Sequence, residues 1–328
     1  MFLRNSILFF CLFLLCCGCF KEDTPIDPVT RNGIRIKNSM YNFQTFYDLS
    51  SNSSSTNPNG SWDLAFENTT DGWHIRINYS NFSGVYRTGS TDFNATSYTT
   101  EDKNWIYDAS SGNPDSTAVG NWRDTTSEGP LVYLIGTYDG IRYKPYRKIK
   151  FSAVTDTSYM FTFANFDNSD VNEFTIKKNP SFNNTYFSFK TKDTLSVEPS
   201  KNNWDILFTQ YTTTLFTKEG IATPYIVRGI YVNPGIVSAM VDSLTGYANI
   251  TSGHIDLSKM SSIQDNIGYN WKAVEINQSA NTARYAVRKN YSYIIRDTEG
   301  VFYKLHFLTY VNDSLLVGYP MFEKERLE

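Results

Sequence analysis

The sequence predicts an all-β protein that contains two tandem copies of one β domain, and three observations support that prediction. Aromatic residues make up 16% of the 328-residue chain, with 23 Tyr and 23 Phe. Polar and apolar side chains alternate along 157–166 and 301–311, which is typical of strands with one buried face. A Trp-Asp hexamer occurs twice, as SWDLAF at 61–66 and as NWDILF at 203–208.

The chain begins with a predicted signal peptide over residues 1–18. Its apolar run, 7–17, is too short to span a bilayer as a helix. The run ends in CCGC, and a small residue before a Cys resembles a bacterial lipoprotein cleavage site. We therefore expect lipidation of Cys19, with Cys17 as the weaker candidate and an ordinary signal peptide as the alternative. A lipidated Cys with more than one acyl chain would anchor the protein stably to a membrane.

A linker is predicted over residues 19–31. Lys21 is followed by two acidic residues, which resembles the surface-export signal of Bacteroidetes lipoproteins. The Pro-rich, polar stretch that follows is typical of a solvated linker, and a solvated charge run is the simpler explanation. The export signal predicts an outer-membrane lipoprotein that faces the cell exterior.

Other landmarks recur around the two hexamers in the same order. IRIKN at 34–38 is matched by FTIKK at 174–178, and FYDL at 46–49 is matched by YFSF at 186–189. A fixed period of this kind indicates repeated structural units. We predict a first β repeat over 32–172 and a second β domain over 173–328.

Within each hexamer the Trp, the aliphatic residue and the Phe lie on one face of the predicted strand. Asp63 and Asp205 lie on the other face, and we expect both to make structural hydrogen bonds. Lys148 and Lys304 also occupy matching positions in the two predicted copies. We expect both lysines to be solvent-facing strand residues.

Charge and motifs argue against several classes of function. The chain has 30 basic and 33 acidic residues, so it lacks the basic footprint that nucleic-acid binding requires. Three widely separated histidines form no HExxH or zinc-type cluster, and we find no G-x-S-x-G elbow or P-loop. We therefore expect a binding protein and not an enzyme.

Five segments of the second copy form a recognisable set: WDILF (204–208), VRGIYVNPG (227–235), IGYNWK (267–272), IIRDTEGVFYKLHFLTY (294–310) and GYPMFEKERL (318–327). Together they resemble the HmuY-like family of Bacteroidetes haem-binding surface lipoproteins. The first copy resembles the family more loosely. The resemblance implies an all-β fold with haem held between two His or Met side chains on projecting hairpins. It also implies haem delivery to an outer-membrane receptor.

Candidate axial ligands for haem iron follow from that resemblance. His254 lies in a turn-rich stretch between the NPG turn and IGYNWK, and Met240 and Met260 flank it. Haem iron accepts both His and Met, although a Met on a strand more often fills a core. We expect His74 and His306 to be ordinary strand residues, with His306 exposed.

The alternative function is non-catalytic binding of a glycan or a protein, without haem. Exposed aromatic rings would stack on sugars, and Trp73, Trp105 and Tyr107 are the candidates. A third possibility is a structural or interaction protein that has lost the family ligand.

Overall fold

The computed structural model describes residues 33–98, 105–124, 129–277 and 282–328. The predicted signal peptide, linker and lipidation site at Cys19 lie outside the described residues. The described chain consists of strands, numbered β1 to β21 in order, and three short 3-10 helices at Pro114–Ser116, Tyr247–Asn249 and Ser252–His254. None of the described residues forms a helix of the length and apolarity that a membrane span requires. The all-β prediction is confirmed.

Two large antiparallel sheets have closely similar strand orders. The first runs, from edge to edge, β1 (Ile34–Arg35), β21 (Val317–Arg326), β20 (Phe302–Val311), β19 (Ser292–Arg296), β16 (Ser238–Asp242). The second runs β11 (Asn172–Lys177), β10 (Ser158–Ala164), β9 (Tyr143–Val154), β8 (Val132–Tyr138), β6 (Ser83–Arg87), β7 (Trp105–Ile106). Each sheet therefore has at one edge a strand that comes from the start of the other predicted copy.

Two four-stranded sheets and one hairpin complete the fold. One sheet runs β13 (Asp193–Leu195), β12 (Asn184–Ser188), β4 (Leu64–Glu67), β5 (Ile75–Ile77). The other runs β15 (Ala222–Val232), β14 (Ile206–Phe216), β2 (Phe43–Tyr47), β3 (Ser54–Pro58). The separate hairpin is β17 (Lys272–Asn277) with β18 (Thr282–Val287).

The two predicted copies exchange their first strands. β2 pairs with β14, the Trp-Asp strand of the second copy, whereas β12 pairs with β4, the Trp-Asp strand of the first. In the same way β1 pairs with β21, and β11 pairs with β10. The predicted division at 172/173 therefore does not separate two independently packed cores. The duplication itself stays a prediction.

Aromatic contacts repeat the same exchange. The Trp204 ring packs edge-on against Phe46 with centroids 4.9 Å apart, and Trp62 packs edge-on against Tyr186 at 5.0 Å. Both tryptophans belong to one buried cluster, which also contains Tyr231. Edge-to-face pairs of buried rings add stability beyond the area that they bury. This cluster joins the halves of the molecule.

The two hexamer aspartates fasten the exchanged strands. Asp63 Oδ2 accepts a hydrogen bond from the backbone N–H of Phe189 at 2.7 Å. Asp205 Oδ2 accepts one from Leu49 at 2.7 Å, and its Oδ1 accepts another from Thr298 at 2.8 Å. Burial raises the pKa of Asp205 to about 6, although these N–H donors favour its charged form. The expected structural role of both aspartates is confirmed.

The expectation that Lys148 and Lys304 face solvent is wrong, because both are buried, at 0% and 5% exposure. Lys148 Nζ donates to the carbonyl of Ala95, and Lys304 Nζ donates to the carbonyl of Ile250, each at 3.1 Å. In each case the carbonyl belongs to a loop that crosses over the strand of the lysine. This loop follows β6 for Lys148 and β16 for Lys304. Each lysine thus fastens a loop onto its sheet.

We predict that Asp63→Ala and Asp205→Ala each destabilise the whole chain. Each substitution leaves at least one backbone N–H without its partner, which costs about 1–3 kcal/mol per buried group. Asp205→Ala should have the larger effect, because it removes two such acceptors. Urea unfolding followed by tryptophan fluorescence measures the change in the free energy of unfolding.

The matched control is Asp313→Ala. Asp313 pairs with Arg35 at 3.1 Å, but its side chain is 93% exposed. An exposed ion pair contributes at most about 1 kcal/mol. If the Asp63 and Asp205 variants were no less stable than this control, the anchoring role would be refuted.

Candidate ligand-binding site

The structure brings two of the three predicted haem ligands together. Met240 lies on β16, is 6% exposed, and packs in a small cluster with Ile250 and Ile294. Met260 is half-buried and packs against the same cluster. Both thioethers therefore lie among aliphatic side chains, where they fill the space between β16 and the segment that crosses it.

His254 lies apart from these methionines. It is exposed and ends the short helix Ser252–His254, where its Nδ1 accepts a hydrogen bond from the backbone N–H of Thr251 at 3.1 Å. The next residue, Ile255, packs against the methionine cluster. The imidazole and the thioethers thus do not form a ready pair of axial ligands in this conformation.

The expectation that His306 is exposed is wrong. His306 is 8% exposed, and its Nε2 lies 3.2 Å from Glu323 Oε1. The Tyr247 ring covers it, with ring centroids 4.0 Å apart. Tyr247 belongs to a short helix between β16 and β17, so strand alternation alone could not reveal this burial.

His74 belongs to a polar group at the start of β5. Its Nδ1 lies 2.5 Å from Glu67 Oε2, and its ring lies against Trp73 with centroids 3.9 Å apart. Burial opposes ionisation of Glu67, but hydrogen bonds from His74 and Thr69 outweigh it and lower the Glu67 pKa. The pair adjoins a cleft of about 980 Å³.

Residues of both predicted copies line that cleft, and most of these residues are of polar types. Amide side chains of Asn68, Asn113 and Asn183 line it, together with the Phe182 ring. Met240, Met260 and His254 do not line it. Its volume falls within the range of small-ligand sites, and its amide groups offer hydrogen bonds to a ligand.

The three aromatic candidates for sugar stacking do not form open platforms. Trp105 is 5% exposed and stacks on Tyr143 at 5.1 Å. Tyr107 is half-buried, and its hydroxyl lies 2.7 Å from Thr214 Oγ1. The Arg123 guanidinium covers Trp73, at 3.8 Å from the ring centroid.

Sequence reasoning missed a cationic group at the base of two hairpins, β14–β15 and β17–β18. Lys272 begins β17, and its Nζ donates to the backbone carbonyl of Arg228 on β15. The Arg228 guanidinium lies over the Tyr41 ring, 4.1 Å from its centroid. Lys272 Nζ lies 4.9 Å from the ring centroid of Tyr310, which packs edge-on against Tyr285. Both cations lie in segments that carry the family resemblance, VRGIYVNPG and IGYNWK.

Neither cation has an acidic partner among the residues that the structure describes. In the ranges that the structure describes, Arg228 and Lys272 form no ion pair, whereas Arg35, Lys144 and Lys192 all do. Arg228 Nε is buried without a hydrogen-bond partner. Burial, with a smaller contribution from Arg228, lowers the pKa of Lys272 to about 7.

Apolar side chains extend from this cationic base along both hairpins. Val274 and Ile276 lie on the same face of β17 as Lys272, and they are 53% and 71% exposed. On β14–β15, Ile226 lies on the same face as Arg228, and so does Phe216, which is 71% exposed. The two hairpins thus combine a buried lysine and a half-buried arginine at their base with exposed apolar groups farther out.

The low pKa of Lys272 predicts a specific dependence of stability on pH. Between pH 7 and 10.5 the unfolded chain holds a proton on Lys272 that the folded chain does not, so stability rises with pH. Relative to Lys272→Met, the wild-type chain should gain up to ~1.4 kcal/mol per pH unit in this window. Urea unfolding at pH 7 and pH 9 measures the difference.

Lys218→Met is the control, because Lys218 is exposed on the turn of the β14–β15 hairpin. Its stability relative to wild type should not change between the two pH values. If the difference in unfolding free energy between wild type and Lys272→Met were also the same at pH 7 and pH 9, Lys272 would not be a buried amine with a lowered pKa.

Comparisons with known proteins find a family that part of the chain resembles. Residues 181–323 match the family described as HmuY protein. No curated protein matches the sequence. Solved structures similar to it are a candidate HmuY-like heme-binding protein from Bacteroides vulgatus (14% identity, 55% of this chain, 91% of that chain, TM-score 0.24) and a candidate lipoprotein from Bacteroides fragilis (11%, 55%, 88%, 0.23).

A third similar structure is the apo HmuY analog from Tannerella forsythia, at 9% identity over 90% of this chain and 95% of that chain, with a TM-score of 0.25. TM-scores this low do not establish a shared arrangement of the whole chain. The family match covers most of the second predicted copy, including the segments that hold Arg228 and Lys272. Residues 181–323 are therefore similar to the HmuY family, as the resemblance of their motifs predicts.

Proposed function

We propose that this chain is a surface lipoprotein that binds haem, for scavenging or for delivery to an outer-membrane receptor. The observation that carries the proposal is the match of residues 181–323 to the HmuY family.

The two hairpins offer the surface that suits a porphyrin best. A porphyrin is flat and apolar, and it carries two carboxylates along one edge. Val274, Ile276 and Phe216 provide exposed apolar surface, and unpaired cations lie at the base of the same hairpins. Burial of such apolar groups on binding is favourable.

The axial ligands remain a separate part of the proposal. His254 is the best placed of the three candidates, because its ring is exposed. Met240 or Met260 could reach iron only if the crossing segment left β16. Two backbone hydrogen bonds between Ala239 and Ser261, each 2.9 Å, hold that segment in place.

The anchor and location rest on the start of the chain. We propose that Cys19 carries the lipid and that the acidic residues after Lys21 direct the protein to the outer face of the outer membrane. Such an anchor would hold the hairpins near a membrane receptor without a membrane-spanning segment.

Glycan binding stays a second candidate because of the polar cleft. Its amide groups and the Phe182 ring offer the hydrogen bonds and the stacking surface that a sugar needs. A glycan array, with Asn183→Ala as the test variant, would support this function by retention on defined sugars. A chain that bound no sugar would exclude it.

We predict saturable haem binding by the chain from residue 21 onwards, which keeps every residue that the structure describes. Hemin titration should shift the Soret band with a stoichiometry near one, in oxidising or reducing conditions. His254→Ala or Met260→Leu should change the band position if that residue ligates iron. Absorbance spectroscopy measures both effects.

Met160→Leu is the control for loss of a thioether. Met160 is 41% exposed on β10, in the other large sheet, so its replacement should leave the spectrum unchanged. A spectrum identical to that of free hemin in both redox states would refute haem binding.

A further inference from the structure

A buried cation with no acidic partner among the described residues is unusual, and here a second, half-buried cation lies beside it. Lys272 is 8% exposed, and Arg228 lies directly beside it. A buried charge is costly unless it is paired, and like charges in contact repel each other. Elsewhere in the described chain, the buried Lys304 has Glu325 at 3.2 Å, and the buried Lys148 donates to the carbonyl of Ala95 at 3.1 Å. The Arg228–Lys272 pair has no negative partner among the described residues, and it brings two cations together.

We propose that Arg228 and Lys272 form an anion site that receives a carboxylate of the bound ligand. This inference rests on the proposed function, because it assigns the propionate edge of haem to the base of the two hairpins. The rest of the ring would then lie along the apolar side chains farther out. No residue in this site needs to ligate iron.

The chemistry of the site fits a carboxylate on an apolar ligand. Arginine presents a planar fork of N–H donors that matches a carboxylate, and Arg228 Nε is a buried donor without a partner. Lys272 adds a second donor from the other hairpin. Tyr41 and Tyr310 exclude water around both cations, which strengthens the attraction to an anion.

The site differs from two other cationic positions among the described residues. Arg76 lies in the polar cleft, but it donates to the carbonyl of Gly112 at 2.7 Å. Lys178 donates to three carbonyls, with Gly72 at 2.6 Å. These cations hold loops in place, whereas the Arg228 guanidinium donates no hydrogen bond to any described residue.

The test compares hemin with hemin dimethyl ester, which has the same iron and ring but no free carboxylate. The wild-type chain should bind hemin about tenfold or more tightly than the ester, because a charged hydrogen bond contributes about 1.5–3 kcal/mol. Arg228→Gln and Lys272→Met should each lose most of that preference. Their affinity for the ester should change little.

Lys218→Gln is the matched control, because it removes an exposed cation from the turn of the same β14–β15 hairpin. This variant should keep the preference for hemin. Circular dichroism checks that every variant is folded. Lys272→Met is expected to fold, because it replaces a buried amine with an apolar side chain of similar length.

The outcomes separate the two proposals. Equal affinity of the wild-type chain for hemin and its ester, with a shifted Soret band for both, overturns the carboxylate site and leaves haem binding intact. Binding of neither compound overturns the proposed function.

If neither compound binds, thermal unfolding with added sodium propionate tests independently whether Arg228 and Lys272 bind an anion. A rise in Tm for the wild-type chain but not for Arg228→Gln supports the site. An equal response of both chains overturns it.

Discussion

The fold depends on the pairing of each Trp-Asp strand with one of the first strands of the other predicted copy. The backbone N–H of Asp63 donates to the carbonyl of Phe187 at 2.8 Å, while its carboxylate accepts from Phe189. Asp205 makes the same two contacts with Tyr47 and Leu49. Because each copy borrows strands from the other, neither core can form fully until both sequences are present.

Much of this arrangement could be predicted from the sequence, because it depends on local patterns. Alternation identified the strands, and the buried faces of Trp62 and Trp204 follow from their positions in the hexamers. The exchange could not be predicted. In the sequence, β2 fits the Trp-Asp strand of either copy equally well, and only the tertiary structure shows that it pairs with β14.

Burial by crossing loops explains why the predicted exposure of Lys304 and His306 is wrong. Strand alternation places Lys304 and His306 on the face opposite to the core, and that placement is correct. The segment after β16 then covers this face with Ile250 and Tyr247. Arg228 and Lys272 escaped notice for a related reason, since 44 residues separate them and only the meeting of two hairpins makes them neighbours.

The strand exchange also extends to the proposed ligand site. Tyr41, which lies over Arg228, belongs to the segment just before β2 and therefore to the first predicted copy. The family match begins at residue 181, so the matched segment contains both cations but not this ring. β14, the partner of β15, is itself paired with β2. The first copy thus supports the binding hairpins of the second directly, and a ligand that orders those hairpins would stabilise both halves of the chain together.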